Sequence, residues 1–193
     1  MLSDYPYYCF EKELPKEFCD GIVKLGKALA VSSASLHDRE TSFSTYDPSV
    51  RNNKISWISN KEVIDILQTY VQVANRNAGW NFDVMSYETP QFSEYDSEQF
   101  YDWHIDMGVE SATDVVVRKL SVSVALNDDF EGGDFEIEKW CSPAEKDRVI
   151  KIKEMRTAGS IIVFPSFIHH RVTPVTKGKR YSLVCWFRGP DFC

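Results

Sequence analysis

Beyond residue 82 the chain loses helical periodicity and becomes a succession of short extended segments divided by turn residues. Eight are delimited: FDVMSYETPQFSEY (82–95), DWHIDMG (102–108), RKLSVSVALND (118–128), GDFEIEKW (133–140), VIKIKEM (149–155), SIIVFPS (160–166), IHHRVTPV (168–175) and RYSLVCWFRG (180–189). Runs of this length, rich in β-branched and aromatic residues and bounded by Gly, Pro, Asn and Asp, read as strands. No helical pattern separates them, so parallel pairing through helical crossovers is excluded, and an antiparallel sandwich or barrel remains.

Before residue 82 the texture is helical. From about Pro15, a good first-turn residue, Phe18, Ile22, Val23, Leu25 and Leu29 form an apolar stripe. A short strand, KISWI (54–58), precedes a second helix, in which Ser59 or Asn60 supplies the cap and Val63, Ile64, Leu67, Tyr70, Val71 and Ala74 recur at helical spacing to an end near Gly79. Between the helices, residues 32–53 are rich in Ser, Asp and Asn and read as a long loop. Loops of that length are often functional.

At 193 residues the chain suits a single domain over 1–193, with helical support at about 1–81 and a β core at about 82–190. The formal net charge of -7 argues against a nucleic-acid partner, whose phosphates call for clustered Lys and Arg. Five scattered cysteines, Cys9, Cys19, Cys141, Cys185 and Cys193, contain no C-x-x-C pair and read as reduced thiols. The first residues lack a basic stretch leading into an apolar run, and no segment is apolar for long enough to span a membrane. A cytoplasmic location is expected.

The chemistry lies in the β half. In the strand YDWHIDMG, His104 and Asp106 stand at i and i+2 and face the same way, which supplies half a metal site. Alone, the pair equally describes a surface His beside a surface Asp. Downstream, one of the adjacent His169 and His170 can complete a 2-His-1-carboxylate triad, the other pointing to the opposite face. Such a triad suits Fe(II) and leaves open positions suited to a bidentate organic ligand and oxygen, with zinc as the competing ion. A zinc hydrolase would need a Glu base as in H-E-x-x-H, which is absent from the sequence.

Four pieces occur in a telling order: YDSEQFYDWHID, LNDDFEGG, GSIIVFPS and HRVTPVTKGKRYSLVCWF. In this the sequence resembles the 2-oxoglutarate/Fe(II)-dependent dioxygenase superfamily, in its prolyl-4-hydroxylase-like branch, over about residues 85–188. The resemblance implies a mainly β (α+β) fold, a double-stranded β-helix or cupin-like jelly roll with N-terminal helices packed on one sheet. It implies His104, Asp106 and His170 as metal ligands and leaves His169 as a spacer. Arg180 becomes the residue that grips the far carboxylate of 2-oxoglutarate, against a plain solvated role for Lys177 and Lys179. Tyr95 matches a tyrosine that bonds the cosubstrate, and Trp186 an aromatic near the metal pocket; core packing is the competing reading of both. Gly132, Gly133 and Gly159 read as turn residues, and Tyr101 and Trp103 as packing or as the substrate mouth.

The implied activity is hydroxylation of an unactivated C–H bond, with Fe(II), 2-oxoglutarate and dioxygen as cofactor and cosubstrates, ascorbate as a candidate reductant, and succinate and CO2 released. A prolyl residue of a peptide or protein is the expected substrate, seated in a groove formed by residues 32–53 and EYDSEQFYDW (94–103). A free amino acid or other small molecule is the alternative within the same chemistry. A noncatalytic cupin-type metal- or ligand-binding barrel is the alternative of another class, and it would not need Arg180 and Tyr95.

Overall fold

The apolar stripes form helices and the extended segments form strands. The structure is a computed structural model that describes residues 5–29, 32–33, 36–37, 44–45, 47–108, 116–139 and 148–192. Its first half contains β1 (Tyr8–Phe10), α1 (Lys16–Ala28), β2 (Ser32–Ser33), β3 (Leu36–His37), β4 (Ser44–Thr45), β5 (Lys54–Trp57) and α2 (Lys61–Asn77). Then come β6 (Ser86–Tyr87), β7 (Gln91–Tyr95), β8 (Tyr101–His104), β9 (Val116–Ala125), β10 (Glu131–Gly132) and β11 (Phe135–Glu138). The chain continues with β12 (Val149–Lys151), a 3-10 turn (Lys153–Arg156), β13 (Ile161–Pro165), β14 (His170–Val172), β15 (Val175–Lys177) and β16 (Arg180–Pro190).

Every strand pair is antiparallel. The larger sheet runs β1-β13-β9-β16-β7-β5-β2, with β6 also on β16; the smaller runs β12-β11-β14-β8. Two expected strands are split where a proline removes a ladder donor, at Pro90 between β6 and β7 and at Pro174 between β14 and β15. The segment expected as a strand over 149–155 keeps that form only to Lys151 and then tightens into the 3-10 turn. The stretch 32–53 is less irregular than a loop reading allows. β2 adds to the edge of the larger sheet, β3 and β4 pair with each other, and the intervening residues 34–35, 38–43 and 46 lie outside the described set. Of the expected thiols, Cys9, Cys19 and Cys185 are free, and Cys141 and Cys193 also lie outside it.

Alternation along three central strands sorts the core into two layers. On one face of the larger sheet, Leu120, Val122 and Val124 of β9, Ile161 and Val163 of β13, and Leu183, Cys185 and Phe187 of β16 pack with the helices. α1 contributes Cys19 and Ile22; α2 contributes Val63, Leu67, Val71 and Ala74. Each fully buried Leu, Ile or Val adds about 1.5–3 kcal/mol. On the opposite face, Ala125, Ile162 and Phe164 meet Phe135, Ile137 and Val172 of the smaller sheet, which makes the second core. The helices therefore cover one sheet from outside, and the other sheet closes its inner face.

Helix ends follow the local chemistry. The Asn60 side chain accepts a hydrogen bond from the Val63 N–H at 3.2 Å and caps α2, and Gly79 takes a φ of +72° just after it. On α1 the buried line is Cys19, Ile22 and Gly26, and Leu25 is exposed. The expected apolar stripe is one position wider than the buried line, because Leu25 faces outward and Gly26 makes the contact. A Cβ at Gly26 would lie 2.3 Å from Cγ of Phe92 on β7, so the helix reaches the sheet only where the side chain is missing. Among the described residues, no helix is long and apolar enough to cross a membrane.

Gly26→Ala tests that contact. Helix propensity alone favours Ala by about 1 kcal/mol, whereas overpacking a filled core costs about 1–3 kcal/mol. The variant is expected to unfold at lower urea concentration, with a net loss of up to about 2 kcal/mol; a midpoint higher by the full helix-propensity gain would show that the helix can lift off the sheet at no cost.

Candidate metal and ligand site

Antiparallel pairing of β14 with β8 sets His170 directly opposite His104, with ring centroids 4.1 Å apart. β8 ends at His104, so Asp106 does not share its strand as the i, i+2 pattern predicts. It sits in the bend that follows, where its N–H and that of Met107 both donate to the Ser166 carbonyl, at 2.9 and 2.8 Å. The bend turns the carboxylate inward all the same. Oδ1 lies 3.6 Å from His104 Nε2 and Oδ2 lies 3.5 Å from His170 Nε2. The three potential ligand atoms fall within 4.8 Å of one another.

The hydrogen bonds behind the rings determine which atoms face that point. His104 Nδ1 lies 2.7 Å from the Asp102 carbonyl and His170 Nδ1 lies 3.0 Å from the Ile168 carbonyl. A carbonyl only accepts, so each Nδ1 carries a proton and each ring turns its other nitrogen, Nε2, toward Asp106. Burial, then the adjacent His170, keeps His104 neutral by pushing its pKa well below the ordinary histidine range. For Asp106, burial opposes ionisation, but His170, His104 and Arg118 outweigh it and hold the carboxyl at about 2. Asp106 Oδ2 is buried and has no hydrogen-bond partner among the described residues. Two imidazole nitrogens and a carboxylate thus converge across gaps too long for good hydrogen bonds, an arrangement that suits a shared cation. Two imidazole nitrogens and one carboxylate oxygen are a donor set that fits Fe(II) and leaves coordination positions open.

Beside the triad is a buried cation of the protein's own. Arg180 on β16 pairs with Tyr95 on β7, its guanidinium 5.3 Å from the tyrosine ring centroid. Only 2% of Arg180 is exposed, and its Nη1 donates to Ser182 Oγ at 3.1 Å. Among the described residues no carboxylate lies within ion-pair distance of it, and burial works against its charge, lowering its pKa. Trp186, on the same face of β16, is buried under the Arg118 guanidinium at 4.0 Å, and its indole N–H has no hydrogen-bond partner among the described residues.

All six expected site residues, Tyr95, His104, Asp106, His170, Arg180 and Trp186, line one cleft of about 420 Å3, counting the volume continuous with solvent. His169 points away and pairs with Glu138 at 2.9 Å, while Lys177 and Lys179 make exposed ion pairs with Glu131 and with Glu94 and Asp96. Tyr101 lines the cleft, stacked on His104; Trp103 does not, and is covered by Arg171. The cleft also takes in Arg51, Gln91, Ser93, Ser123 and Ser182, which sequence reasoning missed. Ser123 left a trace, because hydroxyls at alternate positions of SVS (121–123) mark the polar face of a buried strand. Arg51 left none, being one basic residue in a polar stretch.

The comparisons with known proteins agree with this geometry. A PKHD-type hydroxylase of Alteromonas mediterranea is 34% identical over 104 residues, which cover 51% of this chain and 42% of that protein. The match thus spans less than half the length of that relative. The crystal structure of a viral collagen prolyl hydroxylase from Paramecium Bursaria Chlorella virus-1, a 2-oxoglutarate complex, superposes with a TM-score of 0.69 at 22% identity, over 96% of this chain and 97% of that one. A Trichoplax adhaerens prolyl hydroxylase, in complex with a hypoxia inducible factor oxygen degradation domain peptide fragment, superposes with a TM-score of 0.73 at 17% identity, over 95% and 84% of the respective chains. At these identities the structural likeness establishes the jelly-roll fold. The sequence profile of the 2OG-Fe(II) oxygenase superfamily matches residues 90–188, the segment that carries the cluster and the buried arginine, and the chain belongs to that superfamily.

Proposed function

We propose that this protein is an Fe(II)- and 2-oxoglutarate-dependent dioxygenase that hydroxylates an unactivated C–H bond, with a prolyl residue of a peptide or protein as its substrate. The observation that carries the reading is a single cleft containing both the His–Asp–His cluster and a buried guanidinium that lacks a carboxylate partner among the described residues. The cluster suits a divalent ion with open positions, and the guanidinium suits the far end of a dicarboxylic acid. A barrel that merely stored metal would have no use for Arg180. Likeness to a collagen prolyl hydroxylase and to a peptide-bound prolyl hydroxylase supports the substrate class.

In this reading His104, Asp106 and His170 hold Fe(II), and Arg180 donates two charge-assisted hydrogen bonds to the C5 carboxylate of 2-oxoglutarate. Tyr95, opposite Arg180 in the ladder, donates its phenol to the same end. Trp186 offers its unpaired indole N–H to the ligand and, with Phe164 and Val172, keeps water from the reacting centre. The bound iron, with 2-oxoglutarate and dioxygen, supplies the oxidation: one oxygen atom leaves in succinate as CO2 is released, and the other enters the C–H bond as hydroxyl. The carbonyls of Asp102 and Ile168 keep the proton on each Nδ1, so that both Nε2 atoms stay free to bind metal.

Protein prepared anaerobically with Fe(II), then given 2-oxoglutarate, air and a prolyl peptide, is expected to release succinate in step with one added oxygen atom on the peptide, read by mass spectrometry. Absence of both 2-oxoglutarate binding and succinate release would remove the enzyme reading. Arg180→Ala is expected to weaken 2-oxoglutarate binding by roughly a hundredfold, about 3 kcal/mol, with Mn(II) affinity little changed. Its ligand-free form should be no less stable than the wild type, because the substitution removes an uncompensated buried charge. Lost metal with unchanged cosubstrate affinity would contradict the assignment.

A further inference from the structure

The cleft holds a second guanidinium that the proposed reaction does not use. Arg51 precedes β5, and its backbone is bridged to Tyr101 on β8. Neighbouring bonds fix the segment, with Asp102 N–H donating to the Val50 carbonyl at 2.9 Å and Phe100 N–H to the Asn52 side chain at 2.8 Å. The side chain lies over the Tyr101 ring at 4.4 Å, and that ring stacks on His104 with centroids 3.4 Å apart. Arg51 is 6% exposed. Its Nε donates to Asn53 Oδ1 at 2.7 Å, a neutral acceptor, and among the described residues no carboxylate comes within ion-pair distance of it. Nη1 and Nη2 have no hydrogen-bond acceptor among the described residues, and the residue lines the cleft.

Keeping a guanidinium out of water without a counter-charge is unfavourable, and the fold holds this one rigidly at the wall beside His104. Arg180 takes the same view of the cleft from β16, at the Tyr95 end. Of the two carboxylates of 2-oxoglutarate, one belongs to the open metal positions and one to Arg180, which leaves Arg51 for another anion. We propose that Arg51 reads a carboxylate on the molecule being hydroxylated, so that the substrate presents an acid group in this cleft, as the C-terminal end of a prolyl chain or, in place of the peptide substrate proposed above, as a free imino acid. The inference rests on the reading of Arg180 given above. A single end-on guanidinium fork matches one planar carboxylate, and the chain's net charge of -7 does not favour a polyanionic ligand.

The test uses the full chain loaded with Mn(II) and N-oxalylglycine, an unreactive analogue of 2-oxoglutarate, titrated calorimetrically with N-acetyl-L-proline, its primary amide, and L-proline. The acid is expected to bind at least tenfold more tightly than the amide. Arg51→Gln should abolish that preference and leave N-oxalylglycine affinity within twofold, which also shows that the variant is folded; Arg51→Lys, which keeps the charge, should retain part of it. L-Proline binding more tightly than N-acetyl-L-proline assigns the site to a free imino acid, and the reverse order to a chain end. Equal binding of acid and amide, binding of neither, or a preference that survives in Arg51→Gln overturns the inference and leaves the Arg180 reading standing. A tenfold loss of N-oxalylglycine affinity in Arg51→Gln also overturns it, because Arg51 would then serve the cosubstrate. Wild-type protein that binds Mn(II) but not N-oxalylglycine brings down both readings.

Discussion

The central strands of the larger sheet must satisfy two environments at once, and the period of two along a β-strand is what allows it. One face has to be apolar enough to hold α1 and α2, and β9, β13 and β16 meet that demand with Leu, Val, Ile and Phe at alternate positions. The residues between are thereby released from packing against the helices. On β16 they are Arg180, Ser182, Val184 and Trp186, and all four line the cleft. A slip of one residue in the pairing of β16 would bury Arg180 under the helices and turn Leu183 into the site, so the helical layer enforces the register on which the site depends.

That arrangement concentrates unfavourable electrostatics in one place. Asp106, Arg180 and Arg51 are all buried, yet among the described residues none has an ordinary salt-bridge partner of opposite charge, Asp106 lying nearest to two imidazoles. Elsewhere the acidic and basic residues pair conventionally at the surface, as Lys54 does with Asp96 and Lys151 with Asp134. The contrast separates two uses of charge. Surface pairs contribute little to stability and need no ligand, whereas uncompensated buried charge weakens the free protein and would be relieved by ligands of opposite charge. Such departures from self-sufficiency are expected where function competes with stability.

Legibility in the sequence followed the range of the interaction involved. The strands of the β half, the cap at Asn60 and the turn glycines Gly132 and Gly133, with φ of +68° and +59°, depend on neighbours a few positions away and could be read directly. The pairing of His104 with Asp106 was legible as a motif, though for an incomplete reason: a bend tied to Ser166, and not a shared strand face, brings the carboxylate round. Choosing His170 over His169, and recognising Arg180, needed the resemblance, because alternation alone leaves the face of an isolated strand undetermined. Arg51 was beyond reach. Its burial comes from a bridge to Tyr101, fifty positions away, and nothing local in a Ser- and Asn-rich stretch signals it. Gly26 was missed for a related reason, since the need for a missing side chain arises from Phe92 on another element.

The three clustered ligand candidates also come from different layers of the fold. His104 and His170 belong to β8 and β14 of the smaller sheet and are set by the pairing between those strands. Asp106 is held through Ser166, which follows β13 of the larger sheet, accepts from the Asp106 and Met107 N–H groups, and donates its own N–H to the Lys119 carbonyl on β9. The Ser166 hydroxyl meets that of Ser121 at 3.0 Å and ties the bend to β9 a second time. The distance between the carboxylate and the imidazoles is therefore the distance between two sheets, fixed by the core of Phe135, Phe164 and Ile137 that fills the space between them. An ion gripped by all three groups is a strut across that interface, and its affinity depends on how rigidly the apolar layer holds the sheets apart.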